Sequence, residues 1–256
     1  MTGTLAITMA GKGSRFARGG YARPKYEIEA LGRPLFDWSM LGMNAFLKSG
    51  WECSFAVPAG REAEAFVARR AIALGIEVRS IVVMDDITDG QATTALHLAE
   101  AAPRNRPFAV FNIDTFVNPA ALSFPLPGEA AGWMLCFPAP GEGWSFARLD
   151  DEGRVVEVRE KMRISDHATV GLYWFDSATR YIDAYHSYYA VPGRETAGER
   201  YVAPLYNQLI SEGAPVTLAR LALQDVGMLG TPAQLADFVA HPPPAALPYA
   251  GPAAAH

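Results

Sequence analysis

Between residues 5 and 112, short apolar runs alternate with segments of helical spacing, and few folds accommodate that order. Leu5 to Ala10 is an apolar run that stops at a glycine-rich loop and reads as a buried strand. Leu35, Trp38, Leu41, Met43, Phe46 and Leu47 predict one helix over 35–48, stopped by Ser49-Gly50. Trp51 to Pro58 reads as a strand, Glu62 to Leu74 as a helix capped by Gly75, and Ile76 to Met84 as a strand. Gln91 to Ala102 then reads as a helix and Pro107 to Asn112 as a fourth strand. The order predicts an α/β fold with a mostly parallel central sheet and helices on both faces. With 256 residues, half of them hydrophobic, the chain can bury one large core, with room for a small lobe.

The second half has a different rhythm. Phe146 to Leu149, the turn Asp150-Asp151-Glu152-Gly153, and Val155 to Glu160 predict a β-hairpin. A strand over Ala168 to Phe175 follows, then helices over Ala178–Tyr189 and Tyr201–Glu212, a strand over Pro215–Leu223 and a helix over Pro232–Val239. The tail HPPPAALPYAGPAAAH is low in complexity, and 241–256 is expected to be disordered. Residues 1–240 are read as a single domain, with halves near 1–125 and 126–240.

A formal net charge of -5 argues against a nucleic-acid groove, which needs a basic surface. Local cations can still serve a small anionic substrate. The two cysteines, Cys53 and Cys136, sit in apolar runs without a C-x-x-C pair and read as reduced core thiols. The N-terminus lacks the charged region and long apolar stretch of a signal peptide, and no run reaches a bilayer span. No membrane partner is expected, and the cytoplasm is the expected compartment.

The densest chemical signal is A-G-K-G-S-R-F-A-R-G-G-Y-A-R-P-K, from Ala10 to Lys25. Gly11 and Gly13 let the backbone turn tightly and approach a ligand, and the N–H groups of such a loop can converge on phosphate oxygens. Arg15 and Lys25 add the positive charge a triphosphate needs. The dinucleotide fingerprint fails because its third glycine is replaced by Phe16, and the Walker pattern fails because Ser14 follows Gly13. A lone G-x-G is most often an ordinary βα turn. G-x-G-x-R-F followed by G-Y-x-x-P-K is far more specific.

MAGKGSRF…GYARPKYEIEALGRPLFDW resembles the N-terminal signature of the sugar-phosphate nucleotidyltransferases, or pyrophosphorylases, including the later Gly32-Pro34-Leu35. The run WSFARLDDEGRVVEVREKMRISDHATVGLYWF is most similar to a subgroup of bacterial capsule or surface-polysaccharide synthesis. The resemblance spans about residues 5–240, with motifs in the family's order. It implies a Rossmann-like sheet, the nucleotide-diphospho-sugar transferase fold, with a small hairpin-containing acceptor lobe. It implies that Ala10, Gly11, Gly13, Ser14, Arg15 and Lys25 hold the nucleotide, with Gly90 and Gln91 beside its base. Asp114 corresponds to the family's magnesium ligand. Asn112, Trp144, Ser145, Glu160, Lys161, Thr169, Gly171 and Tyr201 fall on the acceptor side, with Lys161 on the acceptor's phosphate.

Each position also has an ordinary reading. Asp89 or Thr88 is a good helix N-cap, Asp114 could cap a helix starting near Asn118, and Glu160-Lys161 could be surface charge. His97 and His186 read as ordinary helix residues, and Tyr185, Tyr188 and Tyr189 as packing or surface residues. His167 falls between the hairpin and the next strand, near the acceptor segment. One departure stands out. Many members carry a second acidic residue in D-x-G-T-P, whereas this chain has Met228 there and Asp225 out of register. Gly230-Thr231-Pro232 reads as a helix start, with Thr231 at the N-cap and proline at N1.

The implied reaction joins a nucleoside triphosphate to a phosphorylated small molecule, most simply a sugar 1-phosphate, and releases pyrophosphate. An acceptor phosphate monoester, with a second pKa of about 6, is mostly a dianion at neutral pH and needs no general base. The obstacle is repulsion, ~4 kcal/mol per unit pair at about 4 Å with an effective dielectric of about 20. Arg15, Lys25, magnesium on Asp114, and Lys161 are the expected catalytic set against it. Two alternatives remain at this stage. One is a cytidylyltransferase for a phosphate such as phosphocholine, with an aromatic cage drawn from Trp133, Trp144 and Trp174. The other is a nucleotide-binding regulatory protein without turnover. The base, the acceptor and the oligomeric state, a homo-oligomer included, are left open.

Overall fold

A computed structural model of the chain describes residues 2–11, 13–60, 62–122, 128 and 130–251. Parallel order dominates its first half. Strands β1 (Thr4–Thr8), β4 (Glu52–Pro58), β5 (Val78–Met84) and β6 (Phe108–Asn112) line up as β5-β4-β1-β6, all parallel. Their apolar runs are continuous because helices cover both faces; Leu5, Ala6, Phe55, Ala56, Val110 and Phe111 are all fully buried. Short hairpin strands β2 (Glu29–Ala30) and β3 (Arg33–Pro34) lie outside this sheet, as does β7 (Thr115–Val117).

The second half extends the same sheet. β11 (Ala168–Phe175) runs antiparallel against β6 and is flanked by β8 (Gly132–Phe137) and by the hairpin β9 (Ser145–Leu149) and β10 (Val155–Glu160). β12 (Val216–Arg220) adds to β8 in parallel, completing nine strands. Asn207 closes the outer edge of β10, accepting from Val158 N–H at 2.9 Å and donating to its carbonyl at 2.8 Å, which satisfies groups that would otherwise invite another strand. A separate pair joins β13 (Val226–Met228) to β7.

The helices follow the expected spacing with informative exceptions. The helix expected over 35–48 is two, α2 (Leu35–Gly42) and α3 (Asn44–Lys48), broken at Met43 (φ −88°, ψ 7°). Gly42 packs so closely on β7 that a Cβ there would meet the Val117 carbonyl at 3.0 Å. α4 (Ala63–Leu74), α5 (Gln91–Glu100) and α6 (Ala178–Tyr189) lie where the periodicity puts them, and a short α1 (Ser14–Arg18), not expected from the sequence, follows the glycine loop. The helix expected over 201–212 starts as a 3-10 turn (Ala203–Leu205) before α7 (Tyr206–Ser211), since Pro204 lacks the N–H a longer helix would use. Thr231 caps α8 (Pro232–Ala240) by accepting from Gln234 N–H at 3.2 Å.

Two large cores lie against the sheet, and a third small one seats the N-terminal loop. In the third, Phe16, Trp38, Phe116, Leu229, Phe238 and Ala246 cluster, with the Trp38 indole 5.7 Å from Phe116 and 5.2 Å from Phe238. It corrects the expected disorder of the tail. Pro244–Tyr249 forms a 3-10 helix, Ala246 is fully buried, and Gly251 N–H donates to the Leu31 carbonyl at 2.9 Å. Arg33 also donates to the Tyr249 carbonyl. Pro243 and Pro244 limit the chain entropy lost here, and Ala246, with Ala245 and Tyr249 packed beside it, holds the segment on the third core. Residues 252–256 of the expected tail lie outside the described residues. Among the described residues, no helix is long and apolar enough to cross a membrane.

Candidate active site

The candidate residues gather outside the carboxyl ends of β1 and β6, where ligands sit in open α/β sheets. β1 ends at Thr8, opposite Asn112 of β6. The chain leaves Thr8 through Met9 and the buried Ala10 into the glycine loop, whose tip is exposed. Gly13 has φ 61°, the left-handed region that favours glycine, and opens α1. A Cβ at Gly11 or Gly13 would meet nothing within 4 Å, so the loop presents bare backbone to open space. Lys12 lies outside the described residues. Ser14 and Arg15 are exposed at the start of α1, held by Phe16 in the third core.

Lys25 is placed by its neighbours. Pro24 sets φ at −53°, and Tyr26 is buried with its ring 5.3 Å from Phe66. The Lys25 ammonium, its side chain 13% exposed, forms an ion pair with Asp114. Burial lowers the Lys25 pKa and Arg15 lowers it further, against the pull of Asp114. Asp114 caps no helix, because β7 begins at the next residue; its carbonyl accepts from Leu229 N–H at 2.8 Å. Met228 lies on β13 opposite Thr115, with the Gln234 amide 3.9 Å from its sulfur. Asp225 is turned away, accepting from the Asn118 amide at 2.8 Å. Asp114 therefore gains no second carboxylate from either position.

The turn before α5 corrects the capping expectation. Gly90 is the N-cap residue and no side chain caps it; Asp89 accepts from Thr93 instead, and Thr88 donates to the Gly90 carbonyl at 2.9 Å. Gln91 donates to the Thr8 hydroxyl at 3.1 Å, tying this turn to the end of β1.

Across the strand ends, the residues expected on the acceptor side also converge. Ser145 donates to Glu160, and the Tyr173 hydroxyl lies 2.9 Å from Thr169 and 3.5 Å from Ser145. Burial pushes the Glu160 carboxyl above its usual range, while the Ser145 bond and Lys161 hold it down. Gly171 has φ 85°, and a Cβ there would meet Asn112 Oδ1 at 1.9 Å, so only glycine lets the amide lie across β11. That Oδ1 is buried without a hydrogen-bond partner among the described residues, an acceptor oxygen left for a ligand. Lys161 takes φ 52° at the end of β10, with its N–H on the Trp144 carbonyl at 2.9 Å. Its ammonium bonds the Tyr201 hydroxyl and lies 4.4 Å from that ring's centre. Burial and Glu199 push the Tyr201 phenol up, and Arg15 pulls against them. Arg15 lies near enough to both Lys25 and Tyr201 to pull the pKa of each down.

Comparison with family models and with curated proteins gives no match. Among solved structures, the nucleoside-diphosphate-sugar pyrophosphorylase from Vibrio cholerae RC9 is 34% identical, with 92% of this chain and 99% of that chain covered and a TM-score of 0.84. This chain belongs to the sugar-phosphate nucleotidyltransferase family. The inositol-1-phosphate CTP transferase from T. maritima shares the fold, with a TM-score of 0.70 at 16% identity over 90% of each chain.

Some residues next to the candidate site of this nucleotidyltransferase escaped the sequence reading. Thr8 could have been found as the last residue of the first strand. Tyr173 had a weaker signal, a hydroxyl in an otherwise apolar strand. Glu199 had no local signal, whereas Arg200 opens the Arg200-Tyr201-Val202-Ala203-Pro204 run that resembles a family segment near the acceptor pocket. The expected aromatic cage is not assembled. Trp133 and Trp174 are paired across β8 and β11 and nearly fully buried, while Trp144 packs on Phe137 and donates to the Pro140 carbonyl at 3.1 Å. His167 contacts Arg220 at 3.2 Å.

Proposed function

We propose that this protein transfers a nucleotidyl group from a nucleoside triphosphate to a phosphorylated polyol, most simply a sugar 1-phosphate, in the cytoplasm, and releases pyrophosphate. One observation carries the reading: the strand that leads to the cation–carboxylate pair of Lys25 and Asp114 also carries Asn112, which lies against Gly171 of a hydroxyl-rich wall ending in Lys161. The first suits a triphosphate, and the second suits an acceptor with hydroxyls to donate and a phosphate to be held. The absence of an assembled tryptophan cage argues against a quaternary amine. Likeness to the capsule subgroup supports a product used in polysaccharide synthesis.

The bond balance is simple. An acceptor phosphate oxygen forms a bond to the α-phosphorus, the bond from that phosphorus to the bridging oxygen breaks, and pyrophosphate leaves with the electron pair. No general base is needed, consistent with the roles assigned here. Arg15 and Lys25 neutralise the triphosphate and the leaving pyrophosphate, and Lys161 orients the attacking phosphate. Asn112, Ser145, Glu160, Thr169 and Tyr173 offer partners to acceptor hydroxyls. Trp144 and Tyr201 close the wall beside Lys161, and Gly90 and Gln91 flank the base.

The residues fit magnesium carried in with the nucleotide. Among the described residues no three His, Cys, Asp or Glu groups cluster, but Asp114 is a partly exposed carboxylate at the strand ends. Magnesium accepts one or two carboxylates with phosphate oxygens and water completing its shell. Bound there, it would supply charge neutralisation on the phosphates.

Pyrophosphate release measured over CTP, UTP, ATP, GTP and dTTP, with sugar 1-phosphates, inositol 1-phosphate and phosphocholine, tests the reading. Turnover with a polyol phosphate supports it; turnover with phosphocholine alone would sink it. Met228 beside Asp114 favours a second reading, a regulatory nucleotide binder, and nucleotide binding without turnover on any acceptor would select it.

A further inference from the structure

The segment 199–201 is bound on one side to the turn before α5 and on the other to Lys161. Arg200 N–H donates to the Asp89 carbonyl at 2.8 Å, and Ala92 N–H donates to the Arg200 carbonyl at 2.9 Å. Gly90, at φ 146°, lies so close that a Cβ would meet the Arg200 carbonyl oxygen at 2.3 Å. The turn expected beside the base and the segment carrying Tyr201 are therefore joined backbone to backbone.

The Arg200 side chain locks that joint. Its Nη1 donates to the Tyr185 hydroxyl at 2.9 Å, and its Nε lies 3.2 Å from an Asp89 oxygen. Tyr185 and Thr93 hydroxyls are 2.7 Å apart, and Thr93 bonds the other Asp89 oxygen. A guanidinium only donates and a carboxylate only accepts, so the proton order is set around a closed ring: Arg200 to Tyr185, Tyr185 to Thr93, Thr93 to Asp89. Arg200 also lies over the Tyr189 ring at 5.1 Å, and the Tyr189 hydroxyl donates to the Tyr201 carbonyl at 2.7 Å. Tyr201 in turn bonds Lys161 and Glu199. Each partly exposed ion pair contributes little alone. Together they tie the turn to Tyr201 through side chains as well as backbone.

We propose that Arg200 is a positioning residue that couples the two substrates: through it, a nucleotide that settles the 88–91 turn also settles Tyr201 and the Lys161 ammonium that receives the acceptor phosphate. This rests on the function proposed above. Coupling of this kind is reciprocal, so the acceptor tightens the nucleotide by the same factor. Arg200 acts in this proposal through Asp89, Tyr185 and Tyr189.

Isothermal titration tests it. The ligands are the non-reacting α,β-methylene analogue of whichever nucleoside triphosphate the wild-type protein binds, with glucose 1-phosphate and inositol 1-phosphate as acceptors. The wild-type protein should bind one acceptor about tenfold tighter when the nucleotide analogue is present. Arg200→Met should bring that factor close to one while changing the affinity for each ligand alone far less. Arg200→Lys should restore it only in part, because an ammonium cannot replace the fork and the ring stacking. Tyr185→Phe keeps the ring and removes the two hydroxyl bonds, so it should lose coupling even if Arg200→Met fails to fold. Full coupling in a folded Arg200→Met or, where that variant fails, in Tyr185→Phe overturns the proposal, as does independent binding in the wild-type protein. If no triphosphate binds at all, the underlying function falls and this inference with it; the nucleotide titration alone tells the two failures apart.

Discussion

The strand-end wall of the candidate site and its hairpin wall are made of different materials. The first is a bare glycine loop, two cations and one carboxylate, with Lys25 resting on Asp114. The second is a chain of hydroxyls and one half-buried carboxyl, with Lys161 on Tyr201 at its rim. Charge acts over distance and tolerates imprecise geometry. Hydroxyl recognition needs each partner within hydrogen-bond reach. On the proposed function, the first wall cancels repulsion and the second chooses an acceptor, and damage to each should appear in different constants.

The largest expected effect is at Lys25. Lys25→Ala should lower kcat by about 10²–10³ with little change in acceptor KM, as for loss of a group that stabilises developing charge. Steady-state kinetics on both substrates measures it, and a defect confined to acceptor KM would dissolve the division between the walls. Lys161→Ala should do the converse, raising acceptor KM by roughly 10–100-fold through a lost charge-assisted hydrogen bond, with nucleotide KM nearly unchanged.

Gly171→Ala probes the seam between the walls. Its Cβ would strike Asn112 Oδ1, and φ 85° adds strain. A loss of about 2–4 kcal/mol is expected by denaturant unfolding, against about 1 kcal/mol for Gly193→Ala, which has similar φ in open space. Equal losses would show that the Asn112 contact yields without cost.

The smallest effect concerns Glu160. Its pKa is raised in the folded protein, chiefly by burial. Folding therefore favours its protonated form, and that contribution is present below the unfolded carboxyl pKa and lost as pH rises through the folded one. Glu160→Gln should melt higher than the wild-type protein near about pH 8, with the gap closing toward about pH 4.5. A pH-independent gap in a melting series would refute the burial argument.

The α/β order was legible because the buried strands and the helices announce themselves locally, through apolar runs and periodic faces. So was the glycine turn at Gly13, since a positive φ leaves its mark on one residue. The short strand β7 was not. Three residues after Asp114 carry no period, and a capping role for Asp114 looked as good. Nor was the packed tail, whose prolines read as disorder until Ala246 met a pocket made by residues from 16 to 238.

The sequence by itself determined which chemical groups are present and which local shapes they adopt: the bare loop, the cations beside it, the carboxylate closing a strand, the lysine after a hairpin. Tertiary structure alone decided which of them meet. Lys25 and Asp114 are 89 residues apart, and Lys161 and Tyr201 are 40 apart. The physical reason is that conformational preference extends over one or two turns of chain, whereas a contact across such intervals exists only once the sheet has chosen its strand order.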